Sequence, residues 1–289
     1  METFEKEKSM SPNKIPISPG QRRIIDNIQV NIPFTMLVEK AWHDLFFSLN
    51  LNPEIGLDAQ ALDEFGPSAF KDFADRFHQS GRTITLHGPF LDLSPGSPDP
   101  KIRELTAFRF RQLIDATAIF KPRTVVCHAG YAHDRYSFWK EKWLEDTISA
   151  WRWLGAEIFD RGSRLMLENV YEKTPDELLQ VLRPLNPGHV GYCLDIGHLT
   201  AFSKYPLDQW LAATGKYIGQ LHLHDNCGDH DSHMGMGEGA IDFEPLFRYV
   251  RQMTPPPVVT LEPHQREDFM ASLAYLEKSD FLSWFSISS

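Results

Sequence analysis

Residues 221–243, LHLHDNCGDHDSHMGMGEGAIDF, concentrate side chains that could do chemistry, with four histidines and three aspartates in the twelve positions 222–233. Imidazole and carboxylate groups together are the ligands that proteins use for Zn, Mn or Fe. An apolar, strand-like pattern precedes this run, and a glycine-punctuated turn from Gly235 to Gly239 follows it. The run therefore predicts a metal site at the end of a strand rather than an ordinary solvated loop.

Short apolar or β-branched runs alternate with longer amphipathic segments, and these elements must position the reactive side chains. The eight predicted strands are Ile28–Ile32, Glu54–Leu57, Thr83–Leu86, Thr124–Cys127, Arg164–Leu167, Val190–Leu194, Ile218–Leu221 and Val258–Leu261. The predicted helical segments are Phe34–Leu49, Pro67–Ser80, Lys101–Phe120, Phe138–Phe159, Pro175–Leu182, Pro206–Thr214, Phe243–Met253 and Arg266–Phe281. Eight alternating units predict an α/β fold, a single closed (β/α)8 TIM barrel, in preference to an open sheet.

The domain organisation follows from the same pattern. Residues 1–22 contain no regular pattern and are predicted to be a disordered tail, and residues 23–289 are predicted to form one catalytic barrel domain. The first predicted strand leads into Asn31-Ile32-Pro33 rather than a glycine-rich phosphate loop, which argues against a dinucleotide-binding fold.

Composition excludes some classes of partner and compartment. The formal net charge of −10 argues against a broad nucleic-acid surface, which needs clustered Lys and Arg. The three cysteines, Cys127, Cys193 and Cys227, are far apart and suggest no disulfide framework. No segment has the pattern of a signal peptide or a membrane-spanning helix. We therefore expect a cytoplasmic protein that acts on a small molecule, without nucleic-acid or membrane partners.

Each of the last six predicted strands ends in a side chain of metal-ligand type. The residues at or just after these ends are His87, His128, Glu168, Asp195 with His198, His222 with His224, and Glu262 with His264. The carboxyl ends of barrel strands meet at one rim, where barrel enzymes place their active sites. A histidine at a strand end often only contacts a backbone carbonyl, but several carboxylates at one rim would repel one another without a cation. We therefore expect a metal centre at this rim.

Four motifs follow one another at the predicted strand ends, namely ENVYE at 168–172, LDIGH at 194–198, HLHDNCGDHDSHMGMGEGAIDF at 222–243 and TLEPH at 260–264. In this order and spacing they resemble the xylose isomerase-like TIM-barrel superfamily, which includes endonuclease IV of the AP endonuclease 2 group and sugar isomerases and epimerases. The resemblance extends from about Ile28 to Phe281. It implies a barrel enzyme that depends on divalent metal ions.

The resemblance implies one of two metal sites. The isomerase and epimerase branch would hold one ion with Glu168, Asp195, His222 and Glu262. The endonuclease IV branch would hold two to three Zn, Mn or Fe ions with nine ligands, namely His87, His128, Glu168, Asp195, His198, His222, Asp231, His233 and Glu262. The first strand lacks the histidine signature of endonuclease IV, and its DNA-inserting loops have no evident counterpart. A small-molecule substrate is therefore favoured over duplex DNA.

The number of ligands and their charge favour one reaction. Nine ligands are more than one ion uses, and three divalent ions would leave a positive site that attracts a phosphate group. We therefore expect a hydrolase that cleaves a phosphoester with a metal-activated water, Glu168 and Glu262 being its catalytic residues. The alternative is a mononuclear sugar or sugar phosphate isomerase or epimerase, in which the same two glutamates transfer a proton. A barrel that binds a sugar without turnover is a further alternative.

Other polar residues at the rim are expected to orient the ligands or to contact the substrate. They are Asn169, Tyr171, Tyr131, His224, Asp225, His230 and His264. His133 and Arg135, on the same predicted loop as Tyr131, could also grip the substrate. In an alternative ligand set, His230 replaces His233.

Overall fold

The eight strand-like runs form a closed parallel barrel in the computed structural model, which describes residues 16–279, 281 and 283. The strands are β1 (Gln29–Pro33), β2 (Asn52–Gly56), β3 (Thr85–His87), β4 (Thr124–His128), β5 (Arg164–Glu168), β6 (Val190–Asp195), β7 (Ile218–Leu223) and β8 (Val258–Leu261). Each strand pairs with the next one, and β8 pairs with β1 to close the ring. The predicted (β/α)8 barrel is confirmed.

Helices connect the strands and cover the outside of the barrel. They are α1 (Pro19–Ile25), α2 (Phe34–Leu37), α3 (Lys40–Ser48), α4 (Ala59–Glu64), α5 (Pro67–Gln79), α6 (Pro100–Phe120), α7 (His133–Tyr136), α8 (Lys140–Phe159), α9 (Pro175–Leu182), α10 (Ile196–Phe202), α11 (Leu207–Thr214), α12 (Glu244–Val250) and α13 (Arg266–Lys278). Within the described chain, none of these helices combines the length and the apolar character needed to span a membrane.

The ladders between neighbouring strands differ in length around the ring. β1 pairs with β2 at five positions, and β4 pairs with β5 at five positions. In contrast, β3 and β4 pair only at Leu86↔Val125 and His87↔Val126, and β8 and β1 also share only two paired positions. Two joints of the barrel therefore have short ladders.

The predicted N-terminal tail needs a correction at its boundary. Residues 1–15 lie outside the described residues, but α1 already begins at Pro19. Ser18 and Gln21 form a capping box, a hydrogen-bonded helix start, and Pro19 occupies the first helical turn. Ile24 and Ile25 are buried, so apolar burial holds this helix on the barrel.

Several helices depart from the predicted segments. The predicted helix Phe34–Leu49 is divided into α2 and α3, because the backbone at Glu39 is extended. The segments after β4 and β6 contain the short helices α7 and α10. Asp195 ends β6 and caps α10, since its side chain accepts a 2.6 Å hydrogen bond from the backbone N–H of His198. This strand-to-helix junction fixes two ligand-type residues at the rim.

Glu172 joins the loops that follow β4 and β5. Its carboxylate accepts hydrogen bonds of 2.9 Å from the backbone N–H of Val170 and of Tyr131. The side chain is buried, and this burial raises the pKa of Glu172 from 4.5 to about 7, with the nearby Glu177 acting in the same direction. The charged form of Glu172 is therefore costly in the folded state at neutral pH.

The substitution Glu172→Gln is expected to change how stability depends on pH. Because folding raises this pKa, the cost of ionising Glu172 is absent below pH 4.5 and complete above about pH 7. Gln does not titrate, and the hydrogen bond that its NH2 group cannot accept costs the same at every pH. The stability of Glu172→Gln relative to the wild type should therefore rise across this window, by up to about 3 kcal/mol. Urea unfolding at several pH values measures the difference. The exposed control Glu141→Gln should show the same dependence of unfolding free energy on pH as the wild type. If the curve for Glu172→Gln also ran parallel to that of the wild type, the prediction would be contradicted.

Candidate metal centre

The closed barrel brings all nine residues of the larger predicted ligand set to one rim. Together with His224, which is a tenth residue, they fall into three neighbouring groups, in each of which one potential ligand atom per residue lies within 4.8 Å of the others. The groups are His87, His128 and Glu168; Glu168, Asp195, His222 and Glu262; and His198, His224, Asp231 and His233. Strand register contributes directly, because His128 pairs with Glu168 across β4 and β5, and Asp195 pairs with His222 across β6 and β7.

The first group centres on one oxygen of Glu168. Oε2 of Glu168 lies 3.1 Å from Nε2 of His87 and 3.6 Å from Nε2 of His128. Nδ1 of His87 lies 2.9 Å from the carbonyl oxygen of Gly88, so Nδ1–H can donate there and leave the lone pair of Nε2 facing Glu168. Burial lowers the pKa of His128 to about 3, which keeps this imidazole neutral and able to coordinate an ion.

The second group surrounds Nδ1 of His222. This nitrogen lies 3.0 Å from Oε1 of Glu262, 3.3 Å from Oε1 of Glu168 and 3.9 Å from Oδ2 of Asp195. Burial alone would raise the pKa of Glu168 and of Glu262, but the neighbouring histidines, His222 foremost, lower both well below the usual range. Both glutamates are thus carboxylates, the form that binds a metal ion.

The third group lies around Asp231. Its Oδ2 is 3.1 Å from Nε2 of His198 and 3.1 Å from Nε2 of His233. Oδ1 of Asp231 and Nδ1 of His224 are 3.6 Å apart, and both are buried without a hydrogen-bond partner. Two ligands of one tetrahedral zinc ion lie at roughly this separation, since each is about 2.1 Å from the metal. These orphaned atoms therefore fit a bound ion.

Partners outside the groups hold several of the imidazole rings in place. Nδ1 of His198 lies 3.1 Å from the carbonyl oxygen of Asn169 and equally close to Glu168, and Nδ1 of His233 lies 3.2 Å from the carbonyl oxygen of Glu262. Metal-binding histidines in proteins characteristically donate their second ring N–H to a carbonyl or carboxylate in this way. The nitrogen and oxygen donors at this rim fit Zn, Mn or Fe.

Glu54, which the sequence reasoning missed, lies in the barrel interior directly beneath the second group. Its Oε1 is 2.9 Å from Nε2 of His222, on the side of the ring opposite the carboxylates. Its Oε2 accepts hydrogen bonds from Thr85 at 2.9 Å, from Thr260 at 3.1 Å and from Gln220. With no exposed surface and these partners, Glu54 can fix which nitrogen of His222 carries the proton.

Some of the remaining predicted residues contact the three groups of potential metal ligands. Asn169 donates to the backbone carbonyl of Asp195 and accepts from its N–H, so it positions that ligand. His224 contacts Asp195 through Nε2 at 3.1 Å, as expected of an orienting residue, but its free Nδ1 also makes it a ligand candidate. His264 stacks on His233 with ring centroids 4.1 Å apart, and Tyr171 lines the cavity above the rim.

Three predicted residues have other surroundings. Tyr131 is buried edge-on against Trp143 with ring centroids 5.0 Å apart, so it packs in the core instead of gripping a substrate. Asp225 accepts backbone hydrogen bonds from Asn226, Gly237 and Ile241, and it shapes the loop from within. The side chain of His230 is 71% exposed and pairs with Asp229. His233, rather than His230, therefore stands in the third group.

A cavity of about 520 Å³ opens above the three groups. Its floor contains His87, His128, Glu168, His198, Asp231, His233 and Glu262. Its walls are largely apolar and include Met36, Trp42, Phe90 and Phe202. Such walls exclude water from the floor and strengthen electrostatic interactions there.

Comparisons with known proteins agree with this architecture. The family described as xylose isomerase-like TIM barrel matches residues 52–281. The uncharacterized protein MJ1311 of Methanocaldococcus jannaschii is 29% identical over 202 residues, which are 68% of this chain and 69% of that protein. The structure of TTHB071 protein from Thermus thermophilus, soaked with ZnCl2, is 28% identical, with a TM-score of 0.73 and coverage of 89% of this chain and 98% of that one.

Sugar epimerases are also among the similar structures. A D-tagatose 3-epimerase-like protein has a TM-score of 0.76 at 22% identity, and it covers 90% of this chain and 100% of its own. At this level of identity the likeness establishes the fold alone.

The role of Glu54 can be tested through metal affinity. Glu54→Gln keeps the volume but removes the charge that faces His222, so affinity for the ion held by His222 should fall about 10- to 100-fold. Titration of the metal-free protein against a chromogenic chelator measures this, and circular dichroism checks the fold. The exposed control Glu39→Gln should bind as the wild type does. Unchanged affinity in a folded Glu54→Gln protein would exclude the positioning role.

Proposed function

Because the chain belongs to the xylose isomerase-like TIM-barrel family, we propose that it is a divalent-metal enzyme acting on a small molecule, and that its reaction is phosphoester hydrolysis. The arrangement of the ligands in three groups carries the reaction assignment. A single ion held by Glu168, Asp195, His222 and Glu262 would leave the ligand-type residues of the other two groups without a role. Hydrolases of phosphoesters commonly use several ions a few ångströms apart.

Charge supports a multinuclear site and an anionic substrate. Five carboxylates surround the rim, because Glu54 adds to the four that the sequence predicted. Three divalent ions would leave a net charge of about +1, which attracts a phosphate group. One ion would leave the rim about three charges negative, which suits a neutral sugar better than a phosphoester.

The chain's own residues would divide the work of hydrolysis. Bound divalent ions would supply Lewis acidity and lower the pKa of a water molecule. Glu168 belongs to two groups and would bridge them. Oε1 of Glu168 and Oε1 of Glu262 both face Nδ1 of His222, at 3.3 and 3.0 Å, so the two carboxylates flank one position. An ion would occupy that position, and either carboxylate could accept a proton from a water molecule held beside it and orient the water toward the substrate.

A sugar or sugar phosphate isomerase or epimerase is the second candidate, and the comparisons support it better than hydrolysis. Several solved structures with this fold are named as sugar epimerases. The same two glutamates, Glu168 and Glu262, would then move a proton on and off a carbon beside a carbonyl group. The first and third groups would have no catalytic part in that reaction.

Metal content per chain separates the two candidates. Protein purified without chelator should contain two to three Zn, Mn or Fe ions per chain by elemental analysis, because three groups of ligands are present. His128→Ala and Asp231→Ala should each lose about one ion. His230→Ala is the matched control and should lose none, since its side chain is exposed. One ion per chain in the wild type, retained in all three variants, would favour the isomerase.

Activity provides an independent test. Hydrolysis of bis(p-nitrophenyl) phosphate should fall at least about 100-fold in Glu262→Gln, His128→Ala and Asp231→Ala. Epimerisation of ketohexoses, assayed in parallel, should not be detected in the wild type. Epimerase activity that is lost in Glu262→Gln and kept in the other two variants would overturn the hydrolase assignment.

A further inference from the structure

A second cavity of about 370 Å³ adjoins the metal cavity. The loops after β3 and β4 and the helices α6 and α8 form its walls. Four residues line both cavities, namely Phe90, His128, Val170 and Tyr171. The two spaces are therefore neighbours, with a candidate metal ligand, His128, at their junction.

We propose that this second cavity binds one arm of the substrate, an aromatic ring that carries an anionic substituent, and that Arg135 pairs with that anion. The proposal rests on the hydrolase function, since it places the second arm beyond the bond that is cleaved at the metal centre. The residues that would recognise this arm of the substrate lie outside the three groups of potential metal ligands, apart from His128 at the junction.

The junction suits a substrate that spans both spaces. The ring of Phe90 stacks on the ring of His128 with centroids 4.2 Å apart. Phe90 and Tyr171 are 47% and 54% exposed, unusually high for large aromatic side chains beside a buried centre. A ligand that crosses from one cavity to the other would cover both rings and gain apolar burial.

Part of the lining of the second cavity is apolar and aromatic. Phe110 and Trp151 contribute to it with ring centroids 5.1 Å apart, and Leu93, Pro95 and Tyr136 complete this part of the lining. Aromatic walls bind flat rings by offset or edge-on contacts. An aromatic ring is therefore better suited to this space than a sugar with many hydroxyl groups.

Arg135 supplies the positive charge that would pair with the anionic substituent. Among the residues that line the two cavities in the described chain, it is the only lysine or arginine. Its neighbours on α7 are engaged, because Asp134 pairs with Lys173 and His133 lies 3.0 Å from Glu177. Within the described part of the chain, the guanidinium of Arg135 has no ion pair or hydrogen bond.

A carboxylate also lines the second cavity. Asp92 stands in the loop after β3 and forms no ion pair with Arg135. Because the carboxylate of Asp92 would repel a second anion, the cavity suits a ligand with one anionic group, which would lie at the guanidinium of Arg135. An arginine can hold a carboxylate or phosphate through two parallel hydrogen bonds.

Binding to the metal-loaded enzyme tests the proposal with two probes. Phenylphosphonate has the ring alone, 4-carboxyphenylphosphonate adds the anion, and neither contains an ester bond that the enzyme could cleave. By calorimetry the second probe should bind the wild type roughly tenfold more tightly. Arg135→Gln should abolish this advantage without changing the affinity for phenylphosphonate, and Arg135→Lys should retain part of it. The control Arg111→Gln, an exposed arginine of α6 that does not line the cavity, should behave as the wild type.

A third probe, 2-naphthoate, separates this proposal from the hydrolase assignment because it has no phosphorus group. If neither phosphonate binds but 2-naphthoate binds the wild type about tenfold more tightly than Arg135→Gln, the hydrolase assignment fails and the second cavity stands as an anionic-ring site. If the carboxylate advantage survives in Arg135→Gln, or if none of the three probes binds the wild type, the proposal is wrong.

Discussion

Five carboxylates lie at or just below the mouth of one barrel, on β2, β5, β6, the loop after β7 and the end of β8, and four of them are fully or almost fully buried. Repulsion between such groups in a weakly polar interior is costly unless positive charge lies among them. In the ion-free chain the histidines supply part of that charge, and the carboxylates raise the pKa of His198 and His222 and bring that of His233 to about 9. Divalent ions would replace those protons, so metal binding would be coupled to folding at this rim.

Most of the rim could be predicted from the sequence because its signals are local. His87, His128 and Glu168 each end a short apolar run, and a parallel barrel forces such ends together whatever the details of packing. The strand bounds were predicted to within two residues, since most strands are buried and rich in apolar residues, although β2 contains Asn52 and Glu54. The domain start at residue 23 was less accurate, because a capping box at Ser18 extends order toward the N-terminus.

The remaining features depend on contacts between distant parts of the chain. Glu54 stands in mid-strand, and its role arises from Gln220, which is 166 positions away, and from His222. Tyr131 has the sequence features of a substrate-binding loop residue, but its ring packs against Trp143 of α8 in the core. Asp225 lies inside the ligand-rich run, yet three backbone N–H groups occupy its carboxylate. Residue type and spacing do not reveal which partner a polar side chain finds.

The short ladder between β3 and β4 suggests a structural role for the first ligand group in addition to a chemical one. These strands share only two paired positions, and His87 and His128 end them side by side, each facing Glu168 on β5. An ion held among the three would join the two strands across one of the two shortest backbone ladders of the barrel. Metal binding would then stiffen this joint, and without the ion it would be one of the two places where the barrel opens most readily.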